Sequence, residues 1–306
     1  MLVSPSLVDG CCPQLVADGA GGVFVVWNDG PQFVQRVSGA GAVLWPQPAD
    51  PRVGATETRW GRAVSDTAGG VILTWQDRSV EDAFGVLAQR LDGKGLRGWG
   101  DDGLWISTYP GDPEITQDGF GGAFIAWSDR RDPLQSDVYV QHVDAGGSTA
   151  WVDDGLRVTF AGNNQAYPRL VADGMGGVIV AWLDIVTGAH EFRAQRFSAV
   201  GSGLWPNGLV VGDDGFWYAT AVSDGSGGLL LAWPSGGRYV VAQRVDAAGQ
   251  LPWGAAGVEV AGIEGPAELP VAVSTGDGGA WLAWQDRRNN GCRGIYAQRL
   301  NGSGSK

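Results

Sequence analysis

The sequence predicts an all-β fold built from six copies of one four-stranded unit, and three observations support that prediction. First, 51 of the 306 residues are glycine without the Gly-X-Y period of collagen, which is typical of a chain with many tight turns. Second, short segments such as VFVVW, VILTW and LLLAW are rich in β-branched and aromatic residues and lack helical periodicity. Third, one pattern recurs along the whole chain.

In each copy of this pattern a Gly-Gly pair is followed five residues later by Trp. These first tryptophans are Trp27, Trp75, Trp127, Trp182, Trp233 and Trp284. An Asp precedes the glycines by three residues in five copies, a Gln-Arg or Gln-His pair follows the Trp, and a second Trp lies ten residues after the Gln in five copies. The period of 48 to 55 residues suits one blade of a β-propeller and is too long for ankyrin or leucine-rich repeats.

We therefore expect one domain over residues 1–306, a six-bladed β-propeller of four-stranded antiparallel blades. The blade cores are predicted at residues 13–53, 61–108, 113–159, 168–212, 219–261 and 270–301. The last copy lacks the second Trp and a fourth strand, so residues 2–8 are expected to complete it. Closing the ring with the N-terminal strand would cover an edge that could otherwise pair with other chains.

The repeats resemble those of six-bladed propellers in bacterial secreted and cell-surface proteins, whose units read D-G-x-G-G-x4-W-x-D-x-R and Y-A-Q-R-x-D-x-x-G-x3-W. The resemblance covers nearly the entire chain and is carried best by SDGSGGLLLAW, VAQRVDAAGQLPWG and WQDRRNNGCRGIYAQRL. The second half of each unit also resembles, more weakly, the tryptophan-docking repeats of quinoprotein-type propellers. This resemblance implies the fold and an extracellular or cell-surface location in the bacterial envelope, whereas function varies among propellers.

The net charge and the hydropathy of the chain argue against two classes of partner, nucleic acid and the membrane interior. A formal net charge of −12 and a pI of about 4.5 disfavour nucleic acid, because a phosphate backbone would be repelled. No apolar run reaches the roughly 18 residues of a membrane span. The first residues, MLVSPSLVDG, lack the regions of a signal peptide, so we expect a cytosolic chain or a mature segment whose leader was removed.

The spacing of the repeats separates two kinds of loop. The turn before the first Trp and the turn between Gln and the second Trp have constant length, whereas the other two connections of each unit vary. Variable loops on a rigid scaffold commonly carry binding sites. We therefore expect function on the face that bears the variable loops.

The repeated Trp and Gln residues are interpreted as scaffold, because a packing device recurs in every blade whereas a site does not. An Asp two residues after the first Trp is followed by Arg in three copies: Asp77-Arg78, Asp129-Arg130 and Asp286-Arg287. These pairs could bind a cation or sugar hydroxyls, but we favour ion pairs that anchor the loops.

One position at the head of each innermost strand differs from blade to blade, as does the position two residues later. Aromatic rings beside acids and arginines suit a sugar, because rings stack on its C–H face and polar groups bind its hydroxyls. The alternative is that these side chains plug the central channel. The ligand-binding candidates are Trp60, Arg62, Asp112, Glu114, Tyr167, Arg169, Trp217 and Tyr218.

Catalytic and metal signals are weak. No G-x-S-x-G, H-E-x-x-H or phosphate-binding loop occurs, so no catalytic residue is predicted, although Asp112 and Glu114 are close enough in sequence to be considered for glycoside hydrolysis. Acidic doublets such as Asp101-Asp102 could supply Ca²⁺ ligands but lack EF-hand spacing, so neither a metal site nor a cofactor is predicted. A Cys12–Cys292 disulfide is expected to join the ends of the ring.

The sequence alone favours a non-catalytic binding or adhesion module that recognises a glycan or a surface component. The alternative is an architectural protein-protein interaction domain of a surface assembly. A glycan-active hydrolase or lyase is the least favoured of the three. The expected partners are a glycan or a surface protein, without nucleic acid and without a membrane span.

Overall fold

The computed structural model describes residues 11–52, 57–80, 83–109, 111–186, 189–206, 208–213, 218–236, 239–262, 267–289 and 292–306. Within these ranges every regular element is a β-strand, and none is a helix. The strands form six antiparallel sheets of three or four strands each. The all-β prediction is therefore confirmed. Residues 2–8, predicted to close the ring, lie outside the described residues.

The chain divides into two compact units, one formed by residues 1–134 and 139–157 and the other by residues 135–138 and 158–306. The first unit holds the first two sheets and nearly all of the third. Their strands are β1 (Cys11–Ala17), β2 (Val23–Asn28), β3 (Gln32–Val37); β4 (Thr58–Ser65), β5 (Val71–Val80), β6 (Ala83–Leu91), β7 (Leu104–Ser107); and β8 (Pro113–Gln117), β9 (Ala123–Asp129), β10 (Asp137–Val143), β11 (Leu156–Arg157).

The second unit holds the other three sheets. Their strands are β12 (Asn164–Ala172), β13 (Val178–Val186), β14 (Ala189–Phe197), β15 (Leu209–Asp213); β16 (Thr220–Ser223), β17 (Leu229–Ser235), β18 (Tyr239–Val245), β19 (Val258–Gly262); and β20 (Ala267–Ser274), β21 (Ala280–Asn289), β22 (Cys292–Leu300). In every sheet of both units, strands that follow one another in the chain pair side by side.

The first sheet differs from the predicted four-stranded unit. It has three strands, and its outermost residue, Ala49, forms a single bridge to Val34 instead of a ladder. Pro46, Pro48 and Pro51 surround this residue. Because proline has no N–H to donate to a ladder, the segment cannot extend into a strand.

The first Trp of each repeat is buried, as predicted. At most 2% of the surface is exposed in Trp75, Trp127, Trp182 and Trp233. Trp27 and Trp284 are 7% and 4% exposed. Around them pack the apolar side chains of the strand that carries the Trp, so this strand is the core of its sheet. Burial of such large rings is the main source of stability in this fold.

The repeated Gln holds the second Trp of its own repeat, and the indole of that Trp contacts the neighbouring sheet. The Gln195 side-chain amide donates to the carbonyl of Trp205 at 2.8 Å and accepts the Trp205 backbone N–H at 2.9 Å. The Trp205 indole N–H then donates to the carbonyl of Ala247 in the next sheet of the second unit. In the first unit Trp45 makes the same contact with Gly93. The structural interpretation of these residues is confirmed.

In five of the six copies a buried aspartate organises the turn after the first strand of the sheet. In the second unit, Asp173 Oδ1 accepts the backbone N–H groups of Met175 and Gly177, and its Oδ2 accepts two hydrogen bonds from Arg196. A Cβ on Gly177 would overlap the carbonyl of Phe197, so this position requires glycine. The turn length is constant because these contacts fix it.

Asp18, one of the corresponding aspartates of the first unit, has a lowered pKa. The backbone N–H of Ala20 is the main group that lowers the pKa of the Asp18 carboxyl, helped by Arg36 and Gly22, although burial opposes them. The charged form is thus the one that the turn stabilises.

Replacement of Gln195 by Leu should lower the free energy of unfolding by about 1–3 kcal/mol, because buried backbone groups of Trp205 and Arg196 lose their partners. Urea unfolding measures this. The matched control is Gln298→Leu, since the Gln298 amide donates to Arg299 in an exposed hydrogen bond. Equal losses in the two variants would show that the buried hydrogen bonds of Gln195 are not the source of the effect.

Candidate active site

In three copies the position that varies between repeats lies at the centre of a β-bulge. Strand pairing shifts register between Arg59 and Arg62, and the same irregularity occurs in β12 and β20. At the centre of these bulges Trp60, Tyr167 and Leu269 have φ values of 52°, 55° and 52°. Large residues rarely adopt this left-handed conformation, and bulges commonly redirect a side chain next to a functional site.

In the first unit the bulge exposes Trp60. Its side chain is 41% exposed, although tryptophan is usually buried in this chain. The next residue, Gly61, is buried and accepts a hydrogen bond from the Gln14 side chain of β1 at 2.7 Å. Neighbouring innermost strands β1 and β4 are therefore joined at the position where Trp60 faces solvent.

A charged pair joins β4 to β8 at the same level. The guanidinium of Arg62 contacts both carboxylate oxygens of Glu114, with Nε–Oε2 and Nη2–Oε1 distances of 3.3 Å. This two-point geometry fixes the orientation of the carboxylate. The side chains are 40% and 22% exposed, so the pair adds little stability and its main effect is positional.

Asp112 lies just before β8, two residues from Glu114. Residues two apart in extended chain face the same side, so the two carboxyl groups are neighbours. Partial burial is the main cause that raises the pKa of the Asp112 carboxyl, and the charge of Glu114 raises it further, whereas Arg62 and Arg130 oppose the rise. A carboxyl with a raised pKa beside a paired carboxylate is typical of general acid–base chemistry.

Arg130 is a further residue of this site, although the sequence predicts that it pairs with Asp129. In the structure Asp129 is bound by Arg131 instead, with an Nη2–Oδ2 distance of 2.6 Å. The buried Asp129 also accepts the indole N–H of Trp127. Since side chains alternate along an extended segment, Arg131 returns to the side of Asp129. Arg130 is exposed and acts on Asp112.

The same correction applies to the other two Asp-Arg pairs. The partner of Asp286 is Arg288 at 2.5 Å, not Arg287, and the partner of Asp77 is Arg52 at 2.6 Å, not Arg78. The anchoring ion pairs expected at the buried aspartates are therefore present, but each uses an arginine other than the adjacent one. The predicted partners were wrong because residues adjacent in an extended segment point to opposite sides, so the adjacent arginine points away from the aspartate.

In the second unit the candidate residues have scaffold contacts. Tyr167 is half-buried and packs against the hydrophobic core. Arg169 donates to the carbonyls of Ala219 and Pro168 at 2.6 Å and 2.9 Å. Tyr218 is 55% exposed. Trp217 lies outside the described residues, so its assignment to a site stays a prediction.

The expected disulfide also stays a prediction. The side chain of Cys12 lies outside the described part of the chain, and Cys292 is exposed. Among the residues that the structure describes, no group of three or more His, Cys, Asp or Glu side chains is placed to hold a metal ion. In the same residues no helix is long and apolar enough to cross a membrane.

Comparison with known proteins gives no sequence match but several structural ones. No protein-family model matches the chain, and no curated protein matches it. The BP39L lectin from Burkholderia pseudomallei has a TM-score of 0.60 at 13% identity, with 96% of this chain and 97% of the lectin covered. These values show a similar fold and nothing finer.

Two glycan-active enzymes are similar in the same sense. A polysaccharide lyase of family PL25, an ulvan lyase bound to -[GlcA(1-4)Rha3S]-, has a TM-score of 0.56 at 9% identity, covering 95% of this chain and 78% of the lyase. The Hadza microbial sialidase Hz136 has a TM-score of 0.54 at 12% identity, covering 95% of this chain. The chain spans 65% of the length of that sialidase.

These comparisons correct the functional prediction. The expectation of a non-catalytic binding or adhesion module, with an architectural domain as its alternative, is wrong, because a sialidase and a polysaccharide lyase share the fold. The sequence-based preference against an enzyme is wrong for the same reason. Repeated scaffold residues dominate the sequence pattern, so a site that occurs once in the chain gives little signal.

Proposed function

We propose that the chain is a glycan-active enzyme, a hydrolase whose catalytic acid is Asp112. One observation carries this proposal: Asp112 lies two residues from Glu114, whose carboxylate Arg62 contacts at both oxygens. Desolvation raises the pKa of Asp112 at this place. Glycoside hydrolysis uses two carboxyl groups with different protonation states. The similarity of the fold to a sialidase and a polysaccharide lyase supports the same class.

Each residue of the first-unit site has a role in this mechanism. Asp112 donates its proton to the glycosidic oxygen as the bond to the leaving sugar breaks. Glu114, held by Arg62, acts on the opposite side of the reacting carbon, either on a water molecule or on the carbon itself. Trp60 stacks on the C–H face of a sugar. Arg130 limits the rise of the Asp112 pKa.

The residues of the second unit belong to the proposal as the sequence assigned them. We propose that Tyr167, Arg169, Trp217 and Tyr218 also bind a glycan, and that the repeats form a propeller completed by residues 2–8. The resemblance to propellers of secreted and cell-surface proteins supports this arrangement and a location outside the cell. A glycan is the expected partner.

Turnover on a panel of polysaccharides tests the proposed activity. We expect new reducing ends from at least one substrate, detected by a reducing-sugar assay and by mass spectrometry of the products. Products with a new double bond, seen as ultraviolet absorbance, would assign the chain to the lyases. Binding to glycans on an array without turnover of the same glycans would contradict the proposed enzyme.

Replacing Trp60 by Gly separates function from stability. The left-handed backbone costs a tryptophan about 1–2 kcal/mol, which glycine avoids apart from its larger entropy in the unfolded chain. We expect a protein that unfolds at an equal or higher urea concentration but has a KM raised about tenfold through lost stacking, a loss of about 1.4 kcal/mol.

Leu269→Gly is the matched control, because Leu269 has the same φ and is not a ligand-binding candidate. Its stability should respond as in Trp60→Gly while KM stays unchanged. A KM that rises equally in both variants would show that the bulge itself, rather than the indole, matters.

A further inference from the structure

The first unit contains a cleft that shares no residue with the candidate active site. Its volume is about 410 Å³, within the range of small-ligand pockets. One wall is the segment after the second Trp of the first repeat, and the other is the connection between β6 and β7. The lining residues are Trp45, Pro46, Gln47, Pro48, Ala49, Asp50, Lys94, Gly95 and Arg97.

The walls of this cleft are fixed before any ligand binds. Ala49 exchanges two backbone hydrogen bonds with Val34 at 2.8 Å and 2.9 Å, and Asp50 Oδ1 accepts the backbone N–H of Arg52. Trp45, only 6% exposed, forms the floor and donates its indole N–H to Gly93. A rigid site loses little conformational entropy on binding, which favours affinity.

The cleft presents charged groups of both signs. The Arg97 Nε–H is buried and donates no hydrogen bond within the described part of the chain. Its Nη1 lies 3.8 Å from Asp101, a residue that is 81% exposed, so this ion pair is weak. Lys94 adds a second, exposed cation. The Arg97 side chain as a whole is 27% exposed, so a ligand oxygen can approach the accessible part of its guanidinium.

The third charged group is a carboxyl. Burial is the main cause that raises the pKa of Asp50, and the Arg52 N–H, Arg97 and Arg52 oppose it. A carboxyl at this position accepts hydrogen bonds from hydroxyl groups, whereas a site built for a simple anion would exclude it. The exposed Pro46 ring adds apolar surface.

We propose that this cleft binds a uronic-acid unit of an acidic oligosaccharide. The sugar carboxylate accepts hydrogen bonds from Arg97 and Lys94, and a sugar hydroxyl donates to Asp50. Pro46 and Pro48 contact the C–H face of the ring. The volume exceeds the need of a small inorganic anion and suits one or two sugar rings. The inference does not depend on turnover at Asp112.

Calorimetric titration with digalacturonic acid tests the cleft, with galactobiose as the neutral counterpart and acetate as a competitor. The chain should bind digalacturonic acid at least tenfold more tightly than galactobiose, and acetate should not displace it. Arg97→Gln should weaken binding at least tenfold and Lys94→Gln at least threefold. Since Lys94 is exposed, its variant tests the cleft even if Arg97→Gln fails to fold.

Lys306→Gln, remote in sequence and also a loss of one surface cation, is the matched control and should bind like the unchanged chain. Asp112→Asn should also keep full binding, which distinguishes this cleft from the proposed active site. No heat with digalacturonic acid at millimolar concentration, unchanged affinity in the Arg97 and Lys94 variants, displacement by acetate, or loss of binding in Asp112→Asn would each overturn the proposal.

Discussion

Replacement of Asp112 by Asn should lower kcat by about 10²- to 10⁴-fold on a substrate with a poor leaving group, the usual contribution of a general acid. Asn is similar in shape but has no proton to donate. Activated aryl glycosides, whose leaving groups need no protonation, should lose much less. Steady-state kinetics on the two kinds of substrate measures this difference.

The control for this experiment is Asp101→Asn, which removes a carboxyl that is 81% exposed and has no part in the proposed site. Its kcat should be unchanged. The proposed acid would be refuted if Asp112→Asn kept full activity on the poor leaving group, or if it lost activity equally on both substrates.

The pH dependence of the reaction follows from the same carboxyl. Because desolvation raises the pKa of Asp112 above its ordinary value, its carboxyl ionises at a higher pH than an unperturbed aspartate. The rate should fall as pH rises through this pKa. Removing the opposing charge in Arg130→Ala should raise the pKa further and move the alkaline limb of the pH–rate profile to higher pH.

Stability should respond in the opposite sense to activity at this position. A folded-state pKa above the unfolded value means that the ionised form of Asp112 costs folding free energy, and the cost is present above the folded pKa and disappears as pH falls. Asp112→Asn should therefore be at least as stable as the unchanged chain at neutral pH. Thermal unfolding at neutral and at acid pH measures this, and a large destabilisation would instead indicate a scaffold role.

Replacement of Arg196 by Met should lower the free energy of unfolding by about 3–5 kcal/mol, because it leaves a buried aspartate charge without its partner. The Arg196 and Asp173 side chains are 9% and 2% exposed, and Nη2–Oδ2 is 2.8 Å. Arg196 also donates to Ala247 of the neighbouring sheet. Urea unfolding followed by circular dichroism measures the loss.

The repeat supplies the matched control for this substitution. In the sixth copy Arg299 takes the place of Arg196 and Thr275 that of Asp173, and Arg299 pairs with the neighbouring Asp277. The side chains of this pair are 50% and 56% exposed and 3.5 Å apart. Arg299→Met should change stability little, because solvent screens an exposed pair. If the two variants lost similar stability, burial would not be the source of the effect.

The sequence was most informative about residues that recur. The structural role of the repeated Gln and Trp could be predicted, because a residue that recurs in nearly every copy is more plausibly a packing residue than a catalytic one. The third-strand histidine also follows the pattern, since His142 contacts Asp118 at 2.9 Å where other copies have Arg. The repeat pattern predicts a fourth strand in the first sheet, whereas the prolines that follow Trp45 indicate that this strand is absent.

The site was harder to predict because it occurs once. Trp60, Arg62, Asp112 and Glu114 were selected by their variation between copies, but no sequence signal shows that Arg62 contacts Glu114 across two sheets. Adjacency in sequence predicts that Arg130 pairs with Asp129, whereas in the structure Arg130 acts on Asp112. The cleft beside Trp45 gave no motif, since its walls come from two separate loops.

The sequence by itself determined the all-β class, the six repeated strand units and the residues that pack within and between their sheets, because these depend on local residue chemistry and on a regular period. The tertiary structure alone decided which arginine each buried aspartate binds, where the backbone adopts positive φ, and which charged groups surround Asp112. These properties depend on the direction of side chains and on burial by strands that are distant in the chain, so no local pattern encodes them.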